Sequence, residues 1–186
     1  MASIVLNGDT SGSVTLSPPA VAGTQTVTLP AATGTVMVSG NMPAFSAYRA
    51  SASDLVLTNA TFTKMVLDTE SFDTNNCFDT STYRFTPTVA GYYQINASVF
   101  TNWVTSQFSS FRIYIYKNGS AYKASQVLIS AVTDVWYGNI NVQDVVSLNG
   151  STDYVEIYLY TNGGSSACYN GGITQTYASG SMVRGA

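Results

Sequence analysis

The chain has 186 residues, of which only 9% are charged, against about 25% in an ordinary soluble domain. Seven Lys and Arg against ten Asp and Glu give a net charge of -3, so we expect no basic patch able to neutralise a nucleic-acid backbone. His is absent, which removes histidine bases, histidine-activated nucleophiles and most zinc sites, and the composition therefore predicts no enzyme and no cofactor.

The amino terminus predicts a protein made in, and not exported from, a cytoplasm. Residues 1–7 lack the basic start and the long apolar run of a signal peptide. No stretch of about 18 uninterrupted apolar residues occurs, so we expect no membrane insertion. In a reducing compartment a disulfide is disfavoured, and Cys77 and Cys168 are expected to be free thiols.

Residues 1–42 form the first predicted region and contain one charged side chain, Asp9. Residues 14–23 and 27–34 look like two repeats, each a short strand followed by a Pro-Ala turn that ends in Gly. Two such units cannot enclose a core, so their apolar side chains need an outside surface. These candidate docking residues are Val14, Leu16, Val27 and Leu29. A flexible tail is the alternative, and the low charge with frequent Val and Leu argues against it.

Residues 43–186 form the second predicted region, which is all-β. Residues 92–101 alternate in polarity, as a half-buried strand does. The expected core face of this strand carries Tyr93, Ile95, Ala97 and Val99. We expect further strands throughout the region because no window has a helical period.

Two further strands, within 111–116 and 153–160, are apolar on both faces. Aliphatic residues alternate with tyrosines, and a two-layer sandwich covers only one face of each sheet. The tyrosines that would lie on the uncovered face are Tyr114, Tyr116, Tyr154, Tyr158 and Tyr160. We expect these rings to form the interface of a homo-oligomer, since each covered ring buries about 150–250 Å². The alternative is that Tyr forms strands well and tolerates solvent at its hydroxyl.

The spacing of residues in this region resembles the signature of C1q and tumour-necrosis-factor-like domains. The matching positions are Leu67, Asp73, Phe78, Phe85, Gly91, Tyr92, Tyr93, Ile95 and Ala97. The resemblance implies a ten-stranded jelly-roll sandwich that forms an obligate trimer through aromatic side chains. The family prefers aromatic residues at Leu67, Ile95 and Ala97, so the core packing there is expected to differ.

Other segments follow the order of the same family. Residues 43–48 look like its opening strand, 115–119 like its mid-domain hairpin, and 179–183 like the closing strand at the centre of a sheet. We expect tight hairpin turns at Asn118-Gly119 and Asn149-Gly150, because both residue types tolerate positive φ.

Three segments are candidate ligand sites. Residues 68–76, with Asp79 just beyond, offer oxygen ligands for Ca²⁺ but do not fit the EF-hand spacing, and such carboxylates more often hold turns. Trp136 and Tyr137 would stack on sugars if they lie in an exposed loop, although a core or interface position is the commoner fate of aromatics. The Gly-rich residues 162–172 predict a long exposed loop.

Residues 1–42 contain the runs Thr-Leu-Ser-Pro-Pro-Ala and Thr-Leu-Pro-Ala-Ala-Thr-Gly-Thr-Val. These runs resemble segments that precede C1q-like or fibre domains in tailed-bacteriophage virion proteins. The function expected from these features is that of a non-enzymatic homotrimeric virion structural protein. A capsid decoration or cement protein, or a short head fibre, would dock on the capsid shell and stand on the virion surface after assembly in the host cytoplasm. The alternative is a tail-fibre adhesin that binds a glycan or protein of the host surface. The short first region favours the capsid role, because a tail fibre needs a long shaft.

Overall fold

A computed structural model of the chain describes residues 3–28, 31, 33–34, 36–103, 110–128, 136–163 and 167–186. Contacts between residues divide the chain into two compact units, Met1–Gly34 and Thr35–Ala186. We call the first unit the arm and the second unit the head, and describe each by itself.

The arm contains one antiparallel hairpin, made of β1 (Ile4–Asn7) and β2 (Ser13–Leu16). Its connection is closed by a hydrogen bond of 2.9 Å from the Gly8 amide to the Gly12 carbonyl. Of the two predicted strand-turn repeats, the strand of the first is β2, and part of the second lies outside the described residues. The strand at Val14 pairs with the upstream strand β1, and the described residues of 27–34 include no strand.

The head is a sandwich of two antiparallel sheets. Along the chain its strands are β3 (Ala44–Tyr48), β4 (Leu55–Leu57), β5 (Thr63–Lys64), β6 (Thr69–Asp73), β7 (Phe78–Asp79), β8 (Arg84–Phe85), β9 (Ala90–Trp103), β10 (Ser110–Lys117), β11 (Ser120–Leu128), β12 (Trp136–Asn149), β13 (Val155–Asn162), β14 (Ala167–Asn170) and β15 (Tyr177–Gly185). The six-stranded sheet has the order β11-β10-β13-β8-β7, with β5 paired to β13. The seven-stranded sheet has the order β4-β14-β9-β15-β3-β6, with β12 paired to β9. The predicted opening strand is β3, and the predicted closing strand, β15, lies inside its sheet between β9 and β3.

The core lies between the two sheets and follows the predicted alternation. The side chains of Tyr93, Ile95, Ala97 and Val99 on β9 are buried, as expected. The aliphatic residues of β10 and β13 face them from the other sheet. The ring of Phe45 stacks on Phe78 and Phe85, with centroids 4.8 and 4.6 Å apart. Leu67, which stands where the resemblance favours an aromatic residue, is buried in this core as well.

Gly180 on β15 has no side chain, which lets Phe45 and Ile95 pack closely against its backbone. A Cβ at this residue would lie 2.7 Å from a ring carbon of Phe45 and 2.8 Å from Cδ1 of Ile95. We expect Gly180→Ala to lower the free energy of unfolding by about 1–3 kcal/mol, because the core has no room for the methyl group. Denaturant titration measures the loss. Ser179→Ala, whose side chain points away from the core, is the matched control, and equal stabilities of the two variants would contradict the packing.

The two Asn-Gly pairs behave differently. Asn118 and Gly119 have φ values of 52° and 76° and join β10 to β11 in a tight hairpin, as predicted. The prediction of a hairpin at Asn149-Gly150 was wrong, because β12 and β13 belong to different sheets. The side chain of Asn149 instead stabilises this connection between the two sheets, since its Oδ1 accepts hydrogen bonds from the amides of residues 151–153.

Asp153 joins these two turns and makes stability depend on pH. Its Oδ1 accepts a 2.7 Å hydrogen bond from Asn118, and Lys117 Nζ lies 3.2 Å from its Oδ2. The Asn118 amide, followed by Lys117 and the Asn149 backbone, lowers the pKa of Asp153 below its ordinary value of 3.8. The stabilisation is therefore present above that value and is lost as the pH falls below it. We expect Asp153→Asn to flatten the fall of unfolding free energy with acid, and equal pH slopes for variant and wild type would contradict this.

Candidate docking and association surfaces

The arm hairpin exposes an apolar face. Directly paired residues of an antiparallel ladder lie on the same face, and the register pairs Ile4 with Leu16 and Leu6 with Val14. All four side chains are more than half exposed. The other face carries Val5, Asn7, Ser13 and Thr15. The hairpin is therefore amphipathic, and we call Ile4, Leu6, Val14 and Leu16 the arm face.

The predicted docking residues have different positions. Val14 and Leu16 belong to the arm face, whereas Val27 is exposed in a segment without strand structure. Leu29 lies outside the described residues. Ile4 and Leu6 were not predicted as docking residues, although their alternation matches that of Val14 and Leu16.

The structure brings the predicted tyrosines together on the outer face of the six-stranded sheet, which we call the tyrosine face. The register places Arg112 beside Tyr160, Tyr114 beside Tyr158, and Tyr116 beside Glu156. Lys64 on β5 pairs with Tyr158, and Arg84 on β8 pairs with Glu156. The rings of Tyr116 and Tyr158 stack with centroids 4.2 Å apart. Burial raises the pKa of the Tyr116 hydroxyl.

The tyrosine face is partly covered by the chain itself, contrary to the argument that its cover must come from outside. The ring of Phe62 lies 4.7 Å from Tyr160, 5.3 Å from Tyr114 and 6.0 Å from Tyr116. The loop that carries Phe62 is held by a hydrogen bond from the Ala60 amide to the Thr161 carbonyl. None of the five tyrosines is among the exposed large hydrophobic residues, whereas Phe62 is 47% exposed. Whether these tyrosines form an interface stays a prediction.

Charged groups stand between the rings of the tyrosine face. Glu156 is buried, and its Oε1 accepts hydrogen bonds from Lys64 Nζ at 2.7 Å and from Arg84 Nη2 at 2.8 Å. The bond to Glu156 raises the pKa of Arg84, which therefore stays charged. The Arg84 guanidinium also lies 3.7 Å from the ring centre of Tyr154, a short cation–π contact. A buried carboxylate and two cations fix this part of the face.

The outer face of the seven-stranded sheet has a different composition, and we call it the amide face. Its central side chains are Tyr92, Gln94, Asn96, Ser98 and Phe100 on β9, Tyr137, Asn139, Asn141, Gln143 and Val145 on β12, and Tyr177, Ser179 and Ser181 on β15. None of these residues is charged, and the charged neighbour of the set is Arg184, which pairs with Tyr92. Tyr92, Val145 and Tyr177 are exposed, and a depression of about 550 Å³ lies between Asn96, Gln143 and Tyr177. With uncharged central side chains and exposed aromatic rings, this face has the composition of the centre of a protein interface.

Trp136 and Tyr137 lie in a strand and not in the exposed loop that stacking on sugars would require. Both belong to β12, where the backbone ladder pairs them with Trp103 and Asn102. The ring of Tyr137 is exposed and stacks on Phe100 at 6.2 Å, at one end of the amide face. The side chain of Trp136 lies outside the described residues.

The acidic segment is a strand with turns and not an open loop. Residues 69–73 form β6, and the carboxylates accept hydrogen bonds from nearby groups. Asp73 Oδ2 accepts from the Phe78 amide at 2.7 Å, and Asp68 Oδ1 accepts from the Ala50 amide at 2.8 Å. Hydrogen bonds from Ser81 and Thr82 lower the pKa of Asp79 to about 2. These carboxylates hold turns.

The expected Gly-rich loop contains a strand, which corrects that expectation. Residues 167–170 form β14, paired with both β4 and β9. Tyr169 is buried, and its hydroxyl accepts a 3.2 Å hydrogen bond from the Val66 amide. Burial raises the pKa of this hydroxyl. The thiol of Cys77 is free and buried, and the side chain of Cys168 lies outside the described residues.

Comparisons with solved structures give the class of the fold. The head is similar to murine APRIL at pH 8.0, with a TM-score of 0.57 and 9% identity over 76% of this chain and 99% of that chain. It is also similar to the Eiger TNF of S. frugiperda, with a TM-score of 0.56 and 7% identity over 78% of this chain and 95% of that one. The fold is therefore an all-β sandwich that matches the TNF-like jelly roll, as predicted.

Particular relatives come from sequence comparison. The protein YqcC of Bacillus subtilis (strain 168), which is uncharacterized, is 34% identical over 105 residues. The XkdV protein of the phage-like element PBSX, from the same strain, is 30% identical over 107 residues. Each match covers 55% of this chain but only 28% of YqcC and 15% of XkdV. No family model matches the sequence. In the described part of the chain, no helix is long and apolar enough to cross a bilayer.

Proposed function

We propose that the chain is a homotrimeric structural protein of a phage particle, in which the arm binds the particle and the head is displayed on its surface. The arm carries the proposal, because it presents four exposed aliphatic side chains on one face of a hairpin. Such a hairpin is marginal in water by itself and gains stability when its apolar face is covered. The likeness to XkdV, a protein of a phage-like element, supports the particle context.

The trimer is proposed to form through the amide face. Interface centres are depleted of charge and enriched in aromatic rings, and this face has both properties. The tyrosine face is the weaker candidate, because Phe62 already covers three of its rings and Glu156, Lys64 and Arg84 stand among them. A jelly roll trimerised in this way remains our proposal for the head, in which the structure describes thirteen strands where ten were predicted.

Two positions on the particle are proposed, and each has its support. Decoration or cementing of the capsid shell uses a short apolar arm, which would bridge shell subunits without a shaft. Adhesion to a host glycan or protein at the end of a fibre is the second candidate. The relatives favour it in one respect, because the matched residues are a minor part of two much longer chains.

Electron cryo-microscopy of the intact particle tests the function. Threefold density on the shell that fits the head supports decoration, and the same density at the tail supports the fibre role. Purified particles that contain none of this protein would contradict both. We also propose that the chain catalyses no reaction, and this experiment does not test that proposal.

A further inference from the structure

We propose that the tyrosine face binds an acidic polysaccharide, through the carboxylate groups of its sugars. The inference names a ligand class for the displayed head and in that sense rests on the proposed function. The binding itself is a property of the purified chain.

The charge of the tyrosine face is the first observation that supports an acidic ligand. Lys64, Arg84 and Arg112 stand on it with two carboxylates, those of Glu156 and of Asp79 on β7, which pairs with Arg84. The face therefore has an excess of one positive charge, although the whole chain has a net charge of -3. Three of the seven cationic residues of the chain are gathered here. An excess of positive charge attracts an anionic partner to this surface in preference to the acidic remainder of the molecule.

The donors of these cations are only partly used. Lys64 and Arg84 both contact Glu156 Oε1, yet their side chains stay 27% and 36% exposed. The Arg112 Nη1 has a long contact of 3.4 Å to the Tyr114 hydroxyl, and its buried Nε has no partner among the described residues. Guanidinium groups bind carboxylates through paired N–H donors, so an incoming carboxylate would satisfy Arg112 better than the present contacts do.

The rings supply the second part of the site. Phe62 presents an exposed ring surface that is supported from below by Tyr114, Tyr116 and Tyr160. Arg112 lies 5.6 Å from the ring centre of Tyr160, and Lys64 lies 5.9 Å from that of Tyr158. These two cations therefore stand among the rings of the tyrosine face. Aromatic rings with polar edges suit the apolar faces of sugars, which carry C–H groups between their hydroxyls.

A polymer with widely spaced negative charges fits this face better than one with closely spaced charges. Nucleic acid carries about one charge per 1.7 Å of duplex axis and needs many cations along its path. Three cations and two carboxylates leave an excess of one positive charge, and the acidic remainder of the chain repels a polyanion with closely spaced charges. A polysaccharide with a carboxylate on its sugar rings matches both the moderate charge and the interleaved rings.

Binding of the full-length protein to polygalacturonate tests the proposal, with neutral dextran as the second ligand. We expect retention on polygalacturonate that weakens as salt is raised, and none on dextran. Arg112→Gln and Lys64→Gln are each expected to weaken binding about tenfold, the size of one charge-assisted hydrogen bond. Phe62→Ser is expected to weaken it as well. Lys123→Gln removes the same charge from an exposed position outside the face and is expected to bind as wild type.

Other results would overturn the proposal. These are equal binding to dextran, an equal loss in Lys123→Gln, tighter binding to oligothymidylate or to a glycerol-phosphate polymer than to polygalacturonate, or no binding at low salt. Thermal melting of each variant shows that the head is folded. The outcome is separate from the proposed function, because trimer mass and presence on particles are measured without the polysaccharide.

Discussion

Replacement of Ile4, Leu6, Val14 and Leu16 by Ser is expected to remove the protein from phage particles while the head stays folded. Each aliphatic side chain that becomes covered contributes about 1.5–3 kcal/mol, so loss of all four weakens docking by several kcal/mol. That amounts to a loss of more than about a hundredfold in affinity. Quantitative immunoblotting of purified particles measures how much protein remains bound.

The opposite face of the same hairpin provides the control for this experiment. Val5→Ser changes an aliphatic residue that lies on the other face, and we expect that variant to remain on the particles. Particles that carry the fourfold variant at the wild-type level would contradict docking through the arm face. A fourfold variant whose head no longer melts cooperatively would contradict the division into two units.

Introduction of two arginines on the amide face, Gln143→Arg with Val145→Arg, is expected to convert the trimer into single folded chains. Both side chains are exposed on β12, so the fold of one chain tolerates them. In the assembled state they would place six like charges among the uncharged central side chains of the interface, where desolvation and repulsion cost several kcal/mol. Light scattering after size-exclusion chromatography measures the mass.

A second pair of substitutions separates the two candidate interfaces. Tyr158→Ser with Tyr160→Ser removes two rings from the tyrosine face, and we expect this variant to keep the trimer. If it dissociates while the arginine variant stays trimeric, the trimer forms through the tyrosine face, as the sequence alone suggested. That result would contradict the interface proposed from the structure.

Features that depend on local period could be predicted from the sequence. The alternation on β9 and the two-faced composition of β10 and β13 follow from the strand period of two, and the structure buries the expected side of each. The hairpin at Asn118-Gly119 follows from two residues that tolerate positive φ. In each case the signal lies within a few residues of the feature it predicts.

Features that depend on contacts between residues distant in sequence could not be predicted from the sequence. Phe62 reaches Tyr114 and Tyr160 only because its loop is held against β13 through Ala60, and nothing near Phe62 in the sequence indicates this. The amide face is built from polar residues of β9, β12 and β15, and its polarity alone predicts contact with solvent. The crossing at Asn149 was mistaken for a hairpin because an Asn-Gly pair indicates a turn without indicating which sheets it joins.

Sedimentation equilibrium of the full-length protein over a dilution series measures whether the chain is a trimer. We expect a mass three times the 19.7 kDa of one chain, maintained down to submicromolar concentration. A folded protein that sediments at 19.7 kDa across the whole series would contradict it.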